Sequence, residues 1–242
     1  KAQGAVERVE GGAGVGEGEH GAELRGGICD QEVRPAVAVQ VQVALDGAGD
    51  FVEIPDHPAF TRSAITVDAW IHPTEGNHPI LQKYDSANAI EGVSWQLEMI
   101  GQRLRFVVSQ NASATTSREI ISNNSVIALN SWQHVAATFD AATQDIKLYV
   151  NGFPLTSSEV TVTGSNVSSL FNGTAPVRIG TYVSNAGMTN FFNGQVDDVG
   201  FYDRALSASE VMNVKDGYRP TDQLIAWYQA EGNADDSAGR QA

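Results

Sequence analysis

The chain has 242 residues, of which 42% are hydrophobic and 18% are charged, a composition typical of a globular protein. Its formal net charge of −14 comes without any cluster of Lys and Arg, which argues against nucleic acid as a partner. Its single cysteine, Cys29, excludes an intramolecular disulfide, and no apolar run approaches the ~20 residues that span a bilayer.

Residues 1–44 differ in composition from the rest of the chain. They contain no aromatic residue and are rich in Gly, Ala, Val and Glu, which predicts a poorly defined segment. Only residues 37–43 alternate in a way that suits a strand. Because the chain opens on Lys1 without an initiator Met, we expect it to be a piece of a longer protein.

Short strands separated by turn residues follow from residue 45 onward. The first of them ends at Pro55, because proline cannot donate a hydrogen bond to a sheet. Alternating apolar residues then predict strands at 65–73, 80–83, 94–100 and 104–108. The core-facing residues of the longest two are Ile65, Val67, Ala69 and Ile71, and Trp95, Leu97 and Met99. A polar, Asn- and Ser-rich connection, residues 110–125, leads to the next element.

Residues 131–152 carry the clearest hairpin pattern in the chain. Two alternating runs flank the polar connector 141–145, and Asn151-Gly152 ends the second run with a strong turn signal. Alternation predicts a half-buried antiparallel pair, with Lys147 and Tyr149 on the face opposite Ile146, Leu148 and Val150.

The last third of the chain predicts two more strands and the chain's only helix. The strands lie at 176–180 and 191–202, with a loop at 183–190 between them. Ser207 is a plausible N-cap for a helix over 207–215, and Glu210 completes a capping box. Many short strands with almost no helix predict an all-β sandwich or jelly roll.

Six segments occur in the order found in laminin G-like domains: LDGAGDFVEIPD, ITVDAWIHP, SWQHVAATFD, IKLYVNG, VRIG and FNGQVDDVGFYDRALSASEV. Over about residues 45–211 the chain therefore resembles these domains of the concanavalin A-like lectin/glucanase superfamily, particularly a bacterial group also similar to pentraxins. The resemblance implies a two-sheet antiparallel jelly roll over 45–216, secreted or on a cell surface, that binds glycans or acts as a spacer. Enzymes, lectins and inert modules share this fold, so the fold alone does not fix the function.

Residues 217–242 carry a second informative pattern, LIAWYQAEGNADDSAG, which resembles the opening strand of another such domain. In the family this segment precedes LDGAGDFVEIPD, and residues 1–44 contain nothing similar. One interpretation, which we favour, is that a tandem repeat begins here. The other is that the tail folds back as a permuted first strand, since an apolar strand gains by pairing with a vacant sheet edge.

The sequence offers no catalytic constellation. A retaining glycosidase needs two carboxylates about 5–5.5 Å apart, whereas strand 94–100 offers only Glu98 and strand 65–73 only Asp68. His72 and His134 lie within predicted strands and are interpreted as ordinary sheet residues. We therefore predict that the module is not an enzyme.

A structural calcium ion is a second possibility, because carboxylates and carbonyls are its preferred ligands. By resemblance to members of the superfamily that hold such an ion, the candidate ligands are Asp46, Asp197 and Glu231. The alternative is that Asp46 and Asp50 shape turns and that Asp197 or Asp198 pairs with Arg204. Residues 181–188 lack the acidic run that pentraxins carry in the corresponding loop, so paired calcium ions are not expected.

Glycan binding requires exposed aromatic rings together with polar groups that fix hydroxyls. Two predicted rim loops offer such residues: Lys83, Tyr84, Asp85 and Asn88 in one, and Thr181, Tyr182 and Asn185 in the other. Tyr84 and Tyr182 are the expected stacking residues, and the alternative is that they anchor their loops to the core. Sheet packing is the expected role of the tryptophans Trp70, Trp95 and Trp132.

Together these patterns predict a non-catalytic carbohydrate- or partner-binding module of a larger secreted or cell-surface protein. The expected partners are a glycan or cell-surface protein and the neighbouring domains of the same chain. The alternatives are a structural spacer in a tandem array and an accessory domain attached to a glycoside hydrolase or other hydrolase.

Overall fold

The structure is a computed structural model that describes residues 5–6, 25–26, 43–85, 92–184 and 187–228. In chain order its strands are β1 (Ala5–Val6), β2 (Arg25–Gly26), β3 (Val43–Asp46), β4 (Val52–Ile54), β5 (Ala64–Pro73), β6 (Pro79–Asp85), β7 (Gly92–Ile100), β8 (Arg103–Ser109), β9 (Ser117–Ser122), β10 (Gln133–Asp140), β11 (Asp145–Val150), β12 (Phe153–Pro154), β13 (Val160–Gly164), β14 (Val177–Ile179), β15 (Tyr182–Ser184), β16 (Gly187–Thr189), β17 (Asn193–Tyr202) and β18 (Leu224–Tyr228). The described helices are a 3₁₀ turn, Pro58–Thr61, and α1 (Ala208–Lys215).

Two antiparallel sheets of 7 strands each make up the body of the protein. Sheet I has the order β12-β11-β10-β5-β17-β18, and β3 also pairs with β17. Sheet II has the order β13-β9-β8-β7-β6-β14-β4. Two further two-stranded pairs join β1 to β2 and β15 to β16. The predicted all-β jelly-roll sandwich is confirmed.

The main hydrophobic core lies between the two sheets and follows the predicted alternation. β5 contributes four fully buried residues, Ile65, Val67, Ala69 and Ile71, and β7 contributes Trp95, Leu97 and Met99. The Trp95 indole N–H donates to the carbonyl of Phe60, 2.9 Å away, which satisfies the one polar atom of this core side chain. Trp70 instead meets His134 edge to face, and Trp132 meets His72 with the rings tilted, at ring-centroid distances of 5.8 and 5.5 Å.

The central hairpin forms as predicted, except for the exposure of its outer face. β10 and β11 pair from Val135↔Val150 to Asp140↔Asp145, and Asn151 has a φ of 51°, as its turn requires. Tyr149 was expected on a solvated face but is only 1% exposed. It packs in a second hydrophobic cluster with Val211 and Val214 of α1, because the helix lies across the outer face of sheet I.

The longer of the strands that the sequence analysis did not predict lie in three regions. β9 lies inside the polar connection 110–125, β13 lies in a run that is mostly exposed, and β15 and β16 form a hairpin within the predicted loop 183–190. Each has few buried apolar residues, so the period-2 signal that marks a half-buried strand is weak. The predicted helix is confirmed, with both hydrogen bonds of the Ser207–Glu210 capping box present.

The tail returns to the body of the protein as β18. It pairs antiparallel with β17, from Val199↔Tyr228 to Tyr202↔Leu224, on the same edge that β3 occupies farther along. Within the described residues, no helix combines the length and the apolar character that crossing a bilayer requires.

Candidate functional site

The two predicted stacking residues, Tyr84 and Tyr182, come together although 98 positions separate them in sequence. Tyr84 lies near the end of β6 and Tyr182 opens β15, and both side chains are half-buried. Their ring centroids are 5.0 Å apart, with planes inclined by 36°, and their hydroxyl oxygens are 3.1 Å apart. The pair forms a partly exposed aromatic surface at one end of sheet II.

A charged pair that the sequence analysis missed lies beside this surface. Arg178 of β14 donates from Nε to Glu53 Oε2 of β4 at 2.9 Å and from Nη1 to the Tyr84 carbonyl at 3.3 Å. The Arg178 side chain is 8% exposed, whereas that of Glu53 is 38% exposed. The signal for Arg178 was available, since it is the single charged residue in a short buried strand. We call Glu53, Tyr84, Arg178 and Tyr182 the rim site.

The remaining described rim residues lie beneath this surface. Thr181 is fully buried and Asp85 is 7% exposed. The Thr181 carbonyl accepts a hydrogen bond from Gln82 Nε2 at 2.5 Å, which ties the start of the β15–β16 hairpin to β6. Gln82 Oε1 is buried and has no hydrogen-bond partner in the described parts of the chain. Asn88 and Asn185 lie outside the described residues.

Lys83, also predicted to contact a ligand, is turned into the protein instead. Its side chain is fully buried, and Nζ donates to Asp56 Oδ1 at 2.6 Å and to the carbonyls of Gly173 and Ala175 at 2.8 and 2.5 Å. These three bonds use the three donors of an ammonium group. Lys83 therefore ties β6 to two neighbouring loops.

The described calcium candidates do not converge. Asp46 Oδ1 accepts from the Ala48 amide at 2.7 Å, and Asp197 Oδ1 accepts from the Asp198 amide at 2.7 Å. Asp46 is the register partner of Asn193, so Asp197 lies four positions farther along β17, about 13 Å away. Ligand distances of about 2.3–2.6 Å cannot bridge that separation.

The described donors therefore do not fit one calcium ion, and no group of three or more His, Cys, Asp or Glu side chains converges in the described residues. Glu231 lies outside those residues. The turn alternative holds for Asp46, whose amide also donates to Asp50 Oδ2 at 3.2 Å. The alternative partner for Asp197 or Asp198 was wrong, because Arg204 pairs with Glu210 and Asp222.

A buried polar cluster, which we call the clasp, lies on the outer face of sheet I. It consists of Asp68, His134, Tyr202 and Arg219. His134 Nε2 lies 3.3 Å from Asp68 Oδ1, and Arg219 Nη1 donates to Asp68 Oδ2 at 3.1 Å and to the Tyr202 hydroxyl at 3.3 Å. Burial raises the pKa of the Tyr202 hydroxyl above its ordinary value, which keeps it protonated.

The clasp superficially resembles a hydrolase His–Asp pair, but its exposure argues against catalysis. His134 is fully buried and the Asp68 side chain is 1% exposed, so a substrate cannot reach either group. The Arg219 side chain, 3% exposed, neutralises Asp68 instead. What the arrangement does is attach the tail of the chain to sheet I.

Another group that could be mistaken for a catalytic site is a pair of carboxylates on sheet II. Arg105 of β8 donates to both of them, Glu98 of β7 and Glu119 of β9. Burial raises the pKa of Glu98, an effect that the bond from Arg105 partly offsets. A glycosidase pair requires room between its carboxylates for the sugar and its leaving group. Here the guanidinium occupies that space, so the three side chains form an ion network within the sheet.

Comparison with known proteins gives one family match and a set of structural likenesses. The family model described as the concanavalin A-like lectin/glucanases superfamily matches residues 46–212. The comparison with curated proteins gave no match.

Three solved structures illustrate the likeness. The chain is similar to a candidate carbohydrate-binding protein from Bacteroides ovatus ATCC 8483, at 17% identity and a TM-score of 0.58, covering 80% of this chain and 53% of that one. It is similar to the heptameric SAP-like pentraxin of Limulus polyphemus, at 19% identity and a TM-score of 0.52, covering 81% and 95%. It is also similar to the CBM40 of the Ruminococcus gnavus IT-sialidase bound to alpha2,3 sialyllactose, at 12% identity and a TM-score of 0.58, covering 73% and 96%. The chain thus spans about half the length of the Bacteroides ovatus protein.

Proposed function

The chain belongs to the concanavalin A-like lectin/glucanases superfamily, and from this premise we propose that it is a non-catalytic carbohydrate-binding module whose ligand contacts the rim site. The observation that carries the proposal is the pairing of Tyr84 and Tyr182, with ring centroids 5.0 Å apart and both side chains half-buried. Two rings fixed against each other offer a large apolar contact area at low cost in side-chain entropy.

The polar atoms around the rings supply the other half of a sugar site. Glu53 keeps 38% of its side chain exposed while Arg178 holds it in place, so its carboxylate accepts hydroxyl donors in a fixed orientation. Gln82 Oε1 lies beneath the hairpin that begins at Tyr182 and has no hydrogen-bond partner among the described residues.

Known members of this fold agree with a binding role without fixing the ligand. The Ruminococcus gnavus module is bound to alpha2,3 sialyllactose, and the Bacteroides ovatus protein is described as a candidate carbohydrate binder. At these low identities the likeness extends to the fold alone, so the sugar is to be found by screening. We place the module in a secreted or cell-surface protein, with a glycan or a surface protein as its partner.

The experiment is a glycan-array screen followed by calorimetric titration of the best ligand. We expect Tyr84→Ala and Tyr182→Ala each to weaken binding by about 10–30-fold, because truncating an aromatic anchor costs about 2 kcal/mol of binding free energy. Tyr84→Phe keeps the ring and should retain most of the affinity. Tyr218→Ala, which removes a tyrosine that is 75% exposed elsewhere, is the matched control.

Thermal unfolding of each variant separates loss of a contact from loss of the fold. Unchanged affinity in both folded alanine variants would reject the rim site as the ligand site. Binding to no glycan by the wild-type chain would favour the second candidate function, a spacer or accessory domain in a multidomain protein. The docking of β18 beside β3 favours that candidate, because it brings the tail of the chain close to the start of β3.

A further inference from the structure

We propose that the sheet edge occupied by β18 also accepts the same segment from a second copy of this chain, so that two copies exchange residues 217–228. The proposal is independent of the rim site and depends on the geometry of the clasp. We call residues 217–228 the tail segment.

The receiving surface is built to recognise the side chains of the tail segment. Arg219 enters between Asp68 and Tyr202, and its Nη2 also donates to the Asp198 carbonyl. Gly200 makes this possible, because a Cβ there would lie 2.2 Å from Arg219 Nη1 and 2.4 Å from Asp68 Oδ2. A strand without an arginine at this position would leave Asp68, 1% exposed, as an uncompensated buried charge.

Trp227 adds a second point of recognition at the far end of the segment. Its indole N–H donates to Asp198 Oδ1 at 3.1 Å, and its ring lies 5.2 Å from the guanidinium carbon of Arg219. β18 is buried on both faces, with Leu224 in the cluster beneath α1 and Ile225 in the main core. The match of charge, aromatic group and apolar pattern selects this chain's own tail sequence, which identifies the second copy as the occupant.

The free energy of docking is the same whichever copy supplies the segment. The described contacts of Arg219, Trp227 and β18 lie either within the tail segment or with the body of the protein, and those with the body are recovered when the segment comes from a neighbour. In the closed form the tail segment docks on its own copy, and in the exchanged form it docks on the other copy. The free energies of the two forms differ only through the hinge that joins α1 to Arg219 and through the entropy of association. Protein concentration therefore controls the balance between them.

The hinge has the features of a segment that can open. Between Lys215 and Arg219 the chain turns at Gly217, whose φ is +86°, and Tyr218 is 75% exposed. The turn is held by the helix end, where the Tyr218 amide donates to the Asn213 carbonyl at 2.8 Å. Extending this turn carries the tail segment away from its own body without disturbing α1.

The position of β3 indicates how copies would be arranged. Along β17, Val199 pairs with Tyr228 of β18 and Val196 pairs with Val43 of β3, so the two strands share one edge end to end. Three positions on β17 separate them, about 10 Å. A donated tail segment therefore ends close to the start of β3 in the receiving copy. This geometry suits two copies that follow each other in one polypeptide as well as two separate chains.

The first test is refolding of the full chain from denaturant at several concentrations, followed by size-exclusion chromatography with light scattering. We expect a dimer whose ratio to monomer rises about tenfold for a tenfold rise in concentration, while monomer dominates. Gly217→Val strains the closed hinge, because a β-branched residue disfavours this φ, and should increase the dimer several-fold. A monomer at every concentration in both proteins would overturn the proposal.

A mixing experiment identifies the segment that is exchanged. Asp68→Asn damages the receiving body and Arg219→Gln damages the donated segment, so neither variant alone forms an intact clasp in a dimer. Refolded together with different tags, they should form a mixed dimer several-fold in excess of either variant's own dimer, because one of its two clasps is intact. If the amount of mixed dimer does not exceed the combined amount of the two variants' own dimers, the assignment of the exchanged segment is wrong. This comparison holds even if both variants fold poorly alone.

Discussion

The clasp and the rim site each place an arginine–carboxylate pair beside aromatic rings, but water reaches only one of them. In the clasp, the side chains of Asp68 and Arg219 are 1% and 3% exposed. In the rim site, Glu53 keeps 38% of its side chain exposed and Tyr84 and Tyr182 are half-buried. The comparison teaches that the same residue types attach two parts of the chain where they are fully buried, and that they remain accessible to a ligand where part of their surface is exposed.

The largest test of this comparison removes the carboxylate of the clasp. Asp68→Ala leaves Arg219 buried without its counter-charge, and we expect a loss of about 3–5 kcal/mol in the free energy of unfolding. Urea denaturation followed by circular dichroism measures it. The control is Arg62→Ala, since Arg62 is 61% exposed and lies 3.9 Å from Asp203, a geometry in which an ion pair contributes at most about 0.5 kcal/mol. Equal losses in the two variants would remove the distinction.

Lys83 tests the same distinction inside the rim itself. Lys83→Met leaves Asp56 and two buried carbonyls without their donor, and we expect it to lower the free energy of unfolding by about 2–4 kcal/mol. Binding of any glycan found by screening should persist in the folded variant, because the Lys83 side chain is fully buried and its described partners lie outside the rim site. Lys147→Met is the matched control, since Lys147 is 51% exposed and pairs with an exposed Asp145. Loss of glycan affinity without loss of stability would return Lys83 to the ligand site.

The fold was largely predictable from the sequence, whereas the contacts that build the rim site were not. The sandwich was predictable because residues such as Val67 and Leu97 alternate strictly with polar neighbours, and the helix because Ser207 and Glu210 mark its start. Tyr84 and Tyr182 were identified one by one from their loops. Their mutual contact was not predictable, because it depends on two turns 98 positions apart meeting in space.

Two other errors have a physical cause that sequence patterns do not carry. Lys83 was assigned to a ligand because it precedes Tyr84 in a predicted rim loop, yet three acceptors from distant loops converge on its Nζ. Arg219 was overlooked because it follows a helix in a polar segment. Two sequence features point to this buried cation: Asp68, which stands among apolar strand residues, supplies the counter-charge, and Gly200, which lies within a strand, leaves space for the guanidinium.

The partly exposed ion pair at the start of α1 predicts a smaller, pH-dependent effect. The bond from Arg204 lowers the pKa of Glu210 to about 2, from 4.5. A carboxylate whose pKa is lower in the folded state stabilises the fold above its unfolded pKa, and this contribution is lost as pH falls from about 4.5 towards 2. Because solvent screens the pair, we expect about 0.5–1 kcal/mol.

Glu210→Gln measures this contribution because it keeps the capping box while removing the charge. The difference in unfolding free energy between wild type and variant should be largest near neutral pH and should vanish near pH 2. Subtracting the variant cancels the titration of every other carboxylate. A difference that is constant over the whole range would assign the stabilisation to hydrogen bonding alone.

The smallest change in Tm is expected on adding calcium. The candidate calcium ligands that the structure describes differ from the carboxylates of the clasp and the rim site because they accept hydrogen bonds from nearby backbone amides. Asp46 and Asp197 each accept a hydrogen bond from a nearby backbone amide at 2.7 Å. Along β17, about 13 Å separates Asp197 from Asn193, the register partner of Asp46. Since a ligand that binds only the folded protein raises its Tm by mass action, we expect the same Tm in excess EDTA and in added calcium. A calcium-dependent rise that is lost in Asp197→Asn but kept in Asp46→Asn would contradict this expectation and would establish a metal site at Asp197.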